Sequence, residues 1–312
     1  MNASPSRWLF AGATEIAARG PSRLVVRLGF GWRRFPFALT SVAAAPRGVP
    51  GPFRLVRAST DRVVVRRDGK TVVFRRLDPA AAVRAFRDSR LDEAPVPNGD
   101  LETLREEFPV HVRQLLALDA VVFQRHLDAR IRRAYWQTAN RADYQALLGT
   151  TLTLDVLGKG EKPDPGAFRR ELKAIPSLPR LALRLAREPA LDYAANILYG
   201  QWREAGLGPI LVRTAAGADA RFERLVAAYP QAEALPATLV LGNGLAQKRA
   251  VLTALARVNQ KAELDAVDRR LRATAEVIPI AWVTDARLVS ARLRGWREDL
   301  LGDVDYSRVT IG

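Results

Sequence analysis

The chain has 312 residues, which is enough for two domains with sizeable apolar cores. Apolar residues make up 48% of it and exclude a disordered chain, while the absence of Cys excludes disulfides and thiolate chemistry. The formal net charge is +16 at pH 7, and residues 1–90 carry most of it, with 18 Lys and Arg against 5 Asp and Glu.

The positive charge of this N-terminal third has two explanations. It could attract an anionic partner, such as a nucleic acid or a lipid surface. Alternatively, the Arg residues occupy the solvent-facing sides of strands, because they alternate with Val and Leu and form no dense block. The alternation favours the second explanation. We therefore expect no nucleic-acid partner. Nucleic-acid binding by residues 1–90 is kept as the alternative function.

The sequence contains no sign of membrane insertion or export. No segment has the roughly 18 to 20 apolar residues of a membrane-spanning helix. Residues Met1–Trp8 have neither the apolar region nor the small-residue cleavage site of a signal peptide. If this start is genuine, the N-terminus predicts a cytoplasmic protein.

The first hundred residues predict strands with a few short helices. Asp68-Gly69 between two apolar runs is a strong hairpin signal. Asp78 followed by Pro79 is typical of a capped helix start with Pro in the first turn. The predicted strands cover 23–28, 53–57, 62–66 and 71–75, and the predicted helices cover 32–45, 79–90 and 101–107.

The middle of the chain predicts an α/β body. A strand over 181–185, a helix over 192–205 that ends at Gly206, and a strand over 210–212 form a β-α-β unit with parallel strands. The other predicted elements are a strand over 118–123, a loop-rich stretch over 149–178, and helices over 128–140, 142–148, 218–227, 245–258 and 261–274.

The last forty residues predict a return of the chain to a sheet. Short apolar runs over 277–283 and 286–294, and a final stretch over 299–311, are separated by Pro and Gly. A strand that returns this late implies a sheet begun much earlier. The two ends of the chain are therefore expected to share one domain.

No residue pattern predicts catalysis or a metal site. His111 and His126 lie in different segments without a triad-like carboxylate pattern, and Gly242-Asn243-Gly244 with Lys248 lacks the order of a phosphate-binding loop. The spacing of Asp299, Asp303 and Asp305 is not that of a calcium loop, and Ser59, Ser177 and Ser290 have no nucleophile-elbow setting. We predict that the chain is not an enzyme and has no cofactor or metal.

Separated segments match, in the correct order, the motifs of one known family. The tail reads Ile-Pro-Ile-Ala-Trp over 278–282 and Val-Ser-Ala-Arg-Leu-Arg-Gly-Trp over 289–296. The other matches are Gly51-Pro52-Phe53, Arg132-Arg133-Ala134 with Ala139-Asn140-Arg141, and Tyr193 with Gln201, Glu204 and Gly206. Together they resemble the family 5 extracytoplasmic solute-binding proteins, the peptide- and nickel-type receptors of ABC importers.

This resemblance implies an α/β, periplasmic-binding-protein-like fold of type II. In that family two lobes are hinged about a cleft that closes on an extended solute. The chain is shorter than the family's typical members, so it is expected to lack part of the first lobe. Residues 1–114 are expected to form this truncated lobe, 115–275 the second α/β lobe, and 276–312 the return to the first.

The resemblance also implies a function and its partners. The chain is expected to capture a peptide-like or other small solute and to present it to ABC permease subunits. A monomer is expected, at a periplasmic or cell-surface location.

By their motif positions, Tyr229, Gln231 and Trp282 are the residues expected to line the cleft, although Trp282 could equally be core at a strand end. Peptide-binding members carry an Asp in the corresponding loop that pairs with the peptide's amino group. Residues 227–233 contain no Asp here, and Glu233 is an open substitute. Because an unpaired buried charge is costly, the ligand is predicted not to be a typical free-amine peptide.

Overall fold

A computed structural model describes residues 5–10, 12–21, 23–38, 52–97, 99–123, 127–140, 182–184, 189–212, 218–257 and 260–312. The chain forms two compact units. Unit 1 comprises Met1–Ala44, Leu116–Ala146 and Leu152–Val283, and unit 2 comprises Ala45–Leu115, Leu147–Thr151 and Thr284–Gly312.

The described elements are numbered in chain order. The strands are β1 (Ala13–Ala18), β2 (Leu24–Leu28), β3 (Arg54–Ala58), β4 (Arg62–Arg67), β5 (Lys70–Arg75), β6 (Glu93–Pro95), β7 (Val110–Phe123), β8 (Ala182–Arg184), β9 (Ile210–Val212), β10 (Ala220–Val226), β11 (Val277–Val289), β12 (Leu293–Arg294) and β13 (Thr310–Ile311). The helices are a 3₁₀ helix (Pro5–Phe10) and α1 (Phe35–Ala38), α2 (Pro79–Arg87), α3 (Leu101–Glu107), α4 (Ala129–Gln137), α5 (Pro189–Glu204), α6 (Ala234–Gly242), α7 (Lys248–Ala256) and α8 (Gln260–Thr274).

The β-α-β unit predicted in the middle of the chain is confirmed. β8 and β9 are parallel neighbours, and α5 connects them along the chain. β10 continues the sheet parallel to β8 and pairs antiparallel with β7 on its other side. The buried ends of β7 and β11, with residues such as Val121, Val122 and Ile278, supply the core of unit 1.

The prediction of a helix over 218–227 is wrong, because residues 220–226 form strand β10. Phe222 and Leu225 are three residues apart, a spacing that suits a helix. Their segment nevertheless pairs along its whole length with β7, from Ala220 opposite Phe123 to Val226 opposite Ala117. Pairing with a strand a hundred residues earlier overrides the local pattern.

The opening segment of unit 1 differs from its prediction in two ways. β1 was not predicted, since its Ala-rich sequence has weak strand propensity, yet it pairs antiparallel with β2. Of the helix predicted over 32–45, the described part is helical only at Phe35–Ala38, and residues 39–51 lie outside the described residues. Trp8, Trp32 and Phe35 are buried in this segment.

Unit 2 contains the predicted meander of β3, β4 and β5, joined in antiparallel order. Asp68 and Gly69 form the hairpin turn between β4 and β5, both with positive φ, at 47° and 78°. This geometry suits the Asp-Gly pair and confirms the turn. Helix α2 begins as predicted, because Asp78 Oδ1 accepts a hydrogen bond from Ala81 N–H at 2.9 Å.

The predicted return of the C-terminal tail is confirmed within unit 2. Residues 287–289 of β11 pair antiparallel with β6, from Arg287 opposite Pro95 to Val289 opposite Glu93. Leu288 is fully buried there in a core with Ala82, Val83, Ala94 and Leu104. The tail then pairs with itself through β12 and β13.

The contact-defined units follow some of the predicted boundaries and depart from others. The change of unit between residues 115 and 116, and between 283 and 284, lies close to the predicted changes of lobe. Residues 1–44, however, belong to unit 1 rather than to the unit that contains 45–115 and the tail, so the two ends of the chain do not share one unit as expected. The aromatic residues of the opening segment account for this, since they pack on Tyr229 of unit 1.

Candidate functional site

The loop that precedes α6 carries the motif residues of the predicted site. It begins where β10 ends, at residue 227, and continues to residue 233. Ala228 N–H donates to Thr238 Oγ1 at 3.1 Å, and Thr238 Oγ1 donates to Ala234 O at 2.6 Å. Because Thr238 is buried and bonded on both sides, α6 holds the start of this loop in one conformation.

Tyr229 lies inside an aromatic cluster. Its ring centroid is 6.4 Å from that of Trp8 and 6.0 Å from that of Trp32, and the two Trp rings stack at 5.7 Å. The Tyr229 side chain has no solvent-exposed surface. Burial, and then the nearby charge of Glu233, raise the pKa of its hydroxyl far above the usual value, so Tyr229 is neutral at every physiological pH.

An arginine of the opening segment binds the polar end of the loop. Arg34 Nη1 donates to Gln231 Oε1 at 2.6 Å and forms an ion pair with Glu233 Oε2 at 3.2 Å. Glu233 is only 6% exposed, whereas the Arg34 side chain is 42% exposed. The single carboxylate of the loop is therefore already paired with a cation from the same chain.

The structure brings two of the three predicted ligand residues into one loop. Tyr229 and Gln231 are joined by the hydrogen bond from Gln231 N–H to Tyr229 O, at 2.8 Å. Gln231 is half-buried, and so is Trp282, which lies in β11 next to the buried Ala281 and Val283. Trp282 is therefore a partly accessible position between two core residues of the strand.

Sequence reasoning missed the contribution of the opening segment to this site. Trp8, Trp32 and Arg34 all contact a loop about two hundred residues further along the chain. The one available signal was the aromatic density between residues 8 and 35, which is high for a chain in which aromatic residues make up 7%. That density predicts burial but not its partner.

Several of the polar residues that the sequence analysis considered for catalysis or metal binding lie in turns or at a helix start. Asp299 Oδ1 accepts hydrogen bonds from Leu301 N–H and Asp303 N–H, as expected for a turn. Ser59 bonds the carbonyl of Arg62. Lys248 opens α7 just after Gly244, and the described residues contain no group of three or more potential metal ligands. His126 and Ser177 lie outside the described residues.

Unit 2 has a charged network of its own, centred on Arg287. This guanidinium contacts Glu93 Oε1 at 2.7 Å, Asp285 Oδ2 at 2.6 Å and Glu298 Oε1 at 3.0 Å. Glu93 Oε2 also accepts hydrogen bonds from Trp296 Nε1 at 2.7 Å and from the hydroxyl of Tyr306 at 2.8 Å. These contacts attach the last twenty residues to β6 and β11.

His111 lies beside this network. Its ring is 4.6 Å from that of Trp296, centroid to centroid, and its Nε2 is 3.8 Å from Glu298 Oε2. Burial, and then the charge of Arg113, lower the pKa of His111 below its usual value. The imidazole is therefore mostly neutral at pH 7 and contributes little positive charge.

Comparison with known proteins identifies the fold. No family model matches the sequence, and no curated protein matches it. Among solved structures, Haemophilus influenzae OppA in complex with RPPGFSPFR has 12% sequence identity and a TM-score of 0.85, covering 99% of this chain and 80% of its own. The Escherichia coli murein tripeptide binding protein MppA has 16% identity and a TM-score of 0.80, covering 95% and 74%.

A third structure, Campylobacter jejuni NikZ in complex with Ni(L-His), has 14% identity and a TM-score of 0.73, and covers 94% of this chain and 76% of its own. These identities are low, so the matches establish the fold. The chain has the two-lobe α/β fold of the solute-binding proteins, and the predicted fold class is confirmed.

The helices of the described residues do not meet the requirements for a membrane span. None of the helices within them combines the length and the apolar composition needed to cross a bilayer.

Proposed function

We propose that the chain is a member of the family 5 solute-binding proteins and acts as the substrate-binding component of an ABC importer. The observation that carries this proposal is the fold match over 94–99% of the chain to proteins named for binding a peptide, a murein tripeptide and a nickel complex. In this function the chain captures an extended, peptide-like solute in an interlobe cleft and presents it to the permease. It acts as a monomer at a periplasmic or cell-surface location, and no catalysis is involved.

Gln231 and Trp282 are the residues we propose to contact the solute. Each is half-buried and keeps some accessible surface, which suits a polar contact and an aromatic wall. Tyr229 has no exposed surface and packs on Trp8 and Trp32, so a direct contact with the solute would require its neighbours to move. Without such a movement, Tyr229 supports the loop from behind.

The ion pair of Glu233 supports a solute without a free amino group. Residues 227–233 contain no Asp, and their single carboxylate is paired with Arg34 at 3.2 Å. A ligand ammonium would have to displace the Arg34 guanidinium, which also donates to Gln231 at 2.6 Å. Arg34 thus forms the ion pair with Glu233 that a peptide amino group would otherwise form.

Calorimetric titration tests both the receptor function and the preference for a solute without a free amino group. We expect N-acetylated peptides, or other solutes without an amino terminus, to bind the wild-type chain more tightly than the matching unblocked peptides. We expect Arg34→Gln to reverse this preference, since it frees the Glu233 carboxylate. Arg33→Gln is the matched control, because Arg33 is exposed and adjacent and has no ion pair with a described residue.

Two results would count against these proposals in different ways. Tight binding of unblocked peptides by the wild-type chain, lost on acetylation, would refute the amine statement and leave the receptor function intact. If neither peptides nor metal chelates stabilise or bind the folded chain, the receptor function itself is refuted.

A further inference from the structure

The meander of unit 2 has two faces of different chemistry. Side chains of residues directly opposite each other in neighbouring strands share a face. One face contains Leu55, Val65 and Val72, together with Val63 and Phe74. It packs on the tail, because the Phe74 ring meets that of Tyr306 edge to face at 5.5 Å, and Val65, Val72 and Phe74 line a small cavity with Val304 and Tyr306.

The opposite face is basic. We name it the arginine face and define it by its three rows of paired residues: Arg54–Arg66–Thr71, Arg57–Val64–Val73 and Arg62–Arg75. All five of its arginines are exposed. The face has no acidic and no aromatic side chain, and the two valines at its centre are buried or half-buried.

The arginine face has no acidic partner for its charges among the residues that the structure describes. Within the described part of the chain, none of its five arginines forms an ion pair, whereas Arg67 on the other face is paired with Asp68 and Lys70 donates to the carbonyls of Tyr306 and Ser307. Arg62 lies directly opposite Arg75, and Arg54 directly opposite Arg66. Like charges placed this way destabilise a sheet, so the arrangement is unfavourable for the isolated fold.

We propose that the arginine face is a docking surface for the anionic headgroups of a phospholipid bilayer. Alternation along the strands, which scatters Arg in the sequence, concentrates it on one side of a three-stranded sheet. A broad face with distributed positive charge matches a surface whose negative charge is also distributed. This inference goes beyond the proposed function and does not depend on it.

The other anionic partners fit this surface less well. Sites for single-stranded nucleic acid without sequence preference combine basic grooves with aromatic side chains on which bases stack, and the arginine face has no aromatic residue. Protein interfaces depend on exposed apolar or aromatic side chains that become buried as anchors, and the two valines here are already buried or half-buried in the chain itself. A lipid surface requires neither feature.

Vesicle binding tests the proposal with the full-length chain and no solute. We expect the chain to bind vesicles that contain phosphatidylglycerol, to ignore vesicles of phosphatidylcholine alone, and to be released by salt. The double variant Arg62→Gln/Arg75→Gln should bind about 30-fold more weakly, because each basic residue near an anionic membrane contributes about 1 kcal/mol. Arg54→Gln/Arg57→Gln should weaken binding to a similar extent.

The matched control is Arg84→Gln/Arg105→Gln, which removes the same charge from exposed positions on α2 and α3. We expect its vesicle affinity to change less than threefold, roughly the effect of losing long-range attraction alone. Thermal unfolding of each variant establishes that it is folded. Equal loss in the two sets of variants would overturn the proposal. An absence of vesicle binding would also overturn the proposal. The same holds if the chain does not bind vesicles but binds duplex DNA through these arginines.

Discussion

The first and last described segments of the chain are held in place by opposite kinds of interaction. In unit 1, Trp8 and Trp32 pack their rings around Tyr229, and Arg34 adds a single ion pair. In unit 2, the tail is attached through Arg287 and Glu93, with three acidic side chains around one guanidinium. One attachment is apolar and the other is a partly buried network of charges.

This difference predicts how each segment responds to its environment. Apolar burial is non-directional and depends little on salt or pH. A buried charge network gains little net stability over an apolar core, but the removal of one partner leaves the others uncompensated. The opening segment should therefore be robust to solvent conditions, and the tail should be sensitive to pH.

Replacing Trp32 by Ala is expected to have the largest effect. The side chain is 6% exposed and contacts four aromatic rings, those of Trp8, Phe30, Phe35 and Tyr229. We expect the free energy of unfolding to fall by about 3–5 kcal/mol in urea titration, as for other large-to-small changes in cores. The loss should be the same at low and high salt.

Leu24→Ala is the control for Trp32, since Leu24 lies in the same segment and is 60% exposed. Its effect should stay within about 0.5 kcal/mol. A Trp32→Ala effect of that small size would show that the aromatic cluster does not hold the opening segment.

Removing the central charge of the tail is expected to have the next largest effect. Arg287→Gln leaves Glu93, Asp285 and Glu298 without their shared cation, and we expect a loss of about 3 kcal/mol in the same titration. The control is Arg292→Gln, whose pair with Asp92 is 46% and 37% exposed and should contribute less than about 1 kcal/mol. Similar losses in both variants would mean that the network is no stronger than a surface pair.

The same contrast explains what could be predicted from the sequence. The hairpin at Asp68-Gly69 and the β-α-β unit around α5 depend on local signals, and both are confirmed. The strand at 220–226 was mistaken for a helix because its partner lies a hundred residues away. The ligand contacts assigned to Tyr229 and Gln231 by their motif stay a prediction, and no local pattern could reveal that Arg34, 199 residues before Glu233, would pair with that carboxylate.

The smallest effect is expected for Glu298→Gln. Its stability should be close to that of the wild-type chain at acidic pH, and the difference between the two should grow as the pH rises. The Glu298 side chain has no exposed surface and lies beside Asp285, so burial and this neighbour raise the pKa of its carboxyl to about 8. Burial alone would raise the pKa of Asp285, but a hydrogen bond donated by protonated Glu298 and the charge of Arg287 outweigh it, so the pKa of Asp285 is lowered and Asp285 stays ionised. Gln at this position imitates the protonated acid, because it is neutral and can donate to Asp285.

The sign of the pH dependence follows from proton binding. The folded chain holds a proton on Glu298 that the unfolded chain releases near pH 4.5, so stability from this group is complete below that pH and is lost as the pH rises to about 8. The lowered pKa of Asp285 acts only below its usual value of 3.8, outside this window. Thermal unfolding between pH 5 and pH 8.5 should therefore show the wild-type chain losing stability relative to Glu298→Gln.

Glu102→Gln, at a side chain that is 78% exposed, is the control and should follow the wild-type curve. Parallel curves for wild type and Glu298→Gln would mean that Glu298 is ionised throughout, and that the tail is held by charge pairing alone.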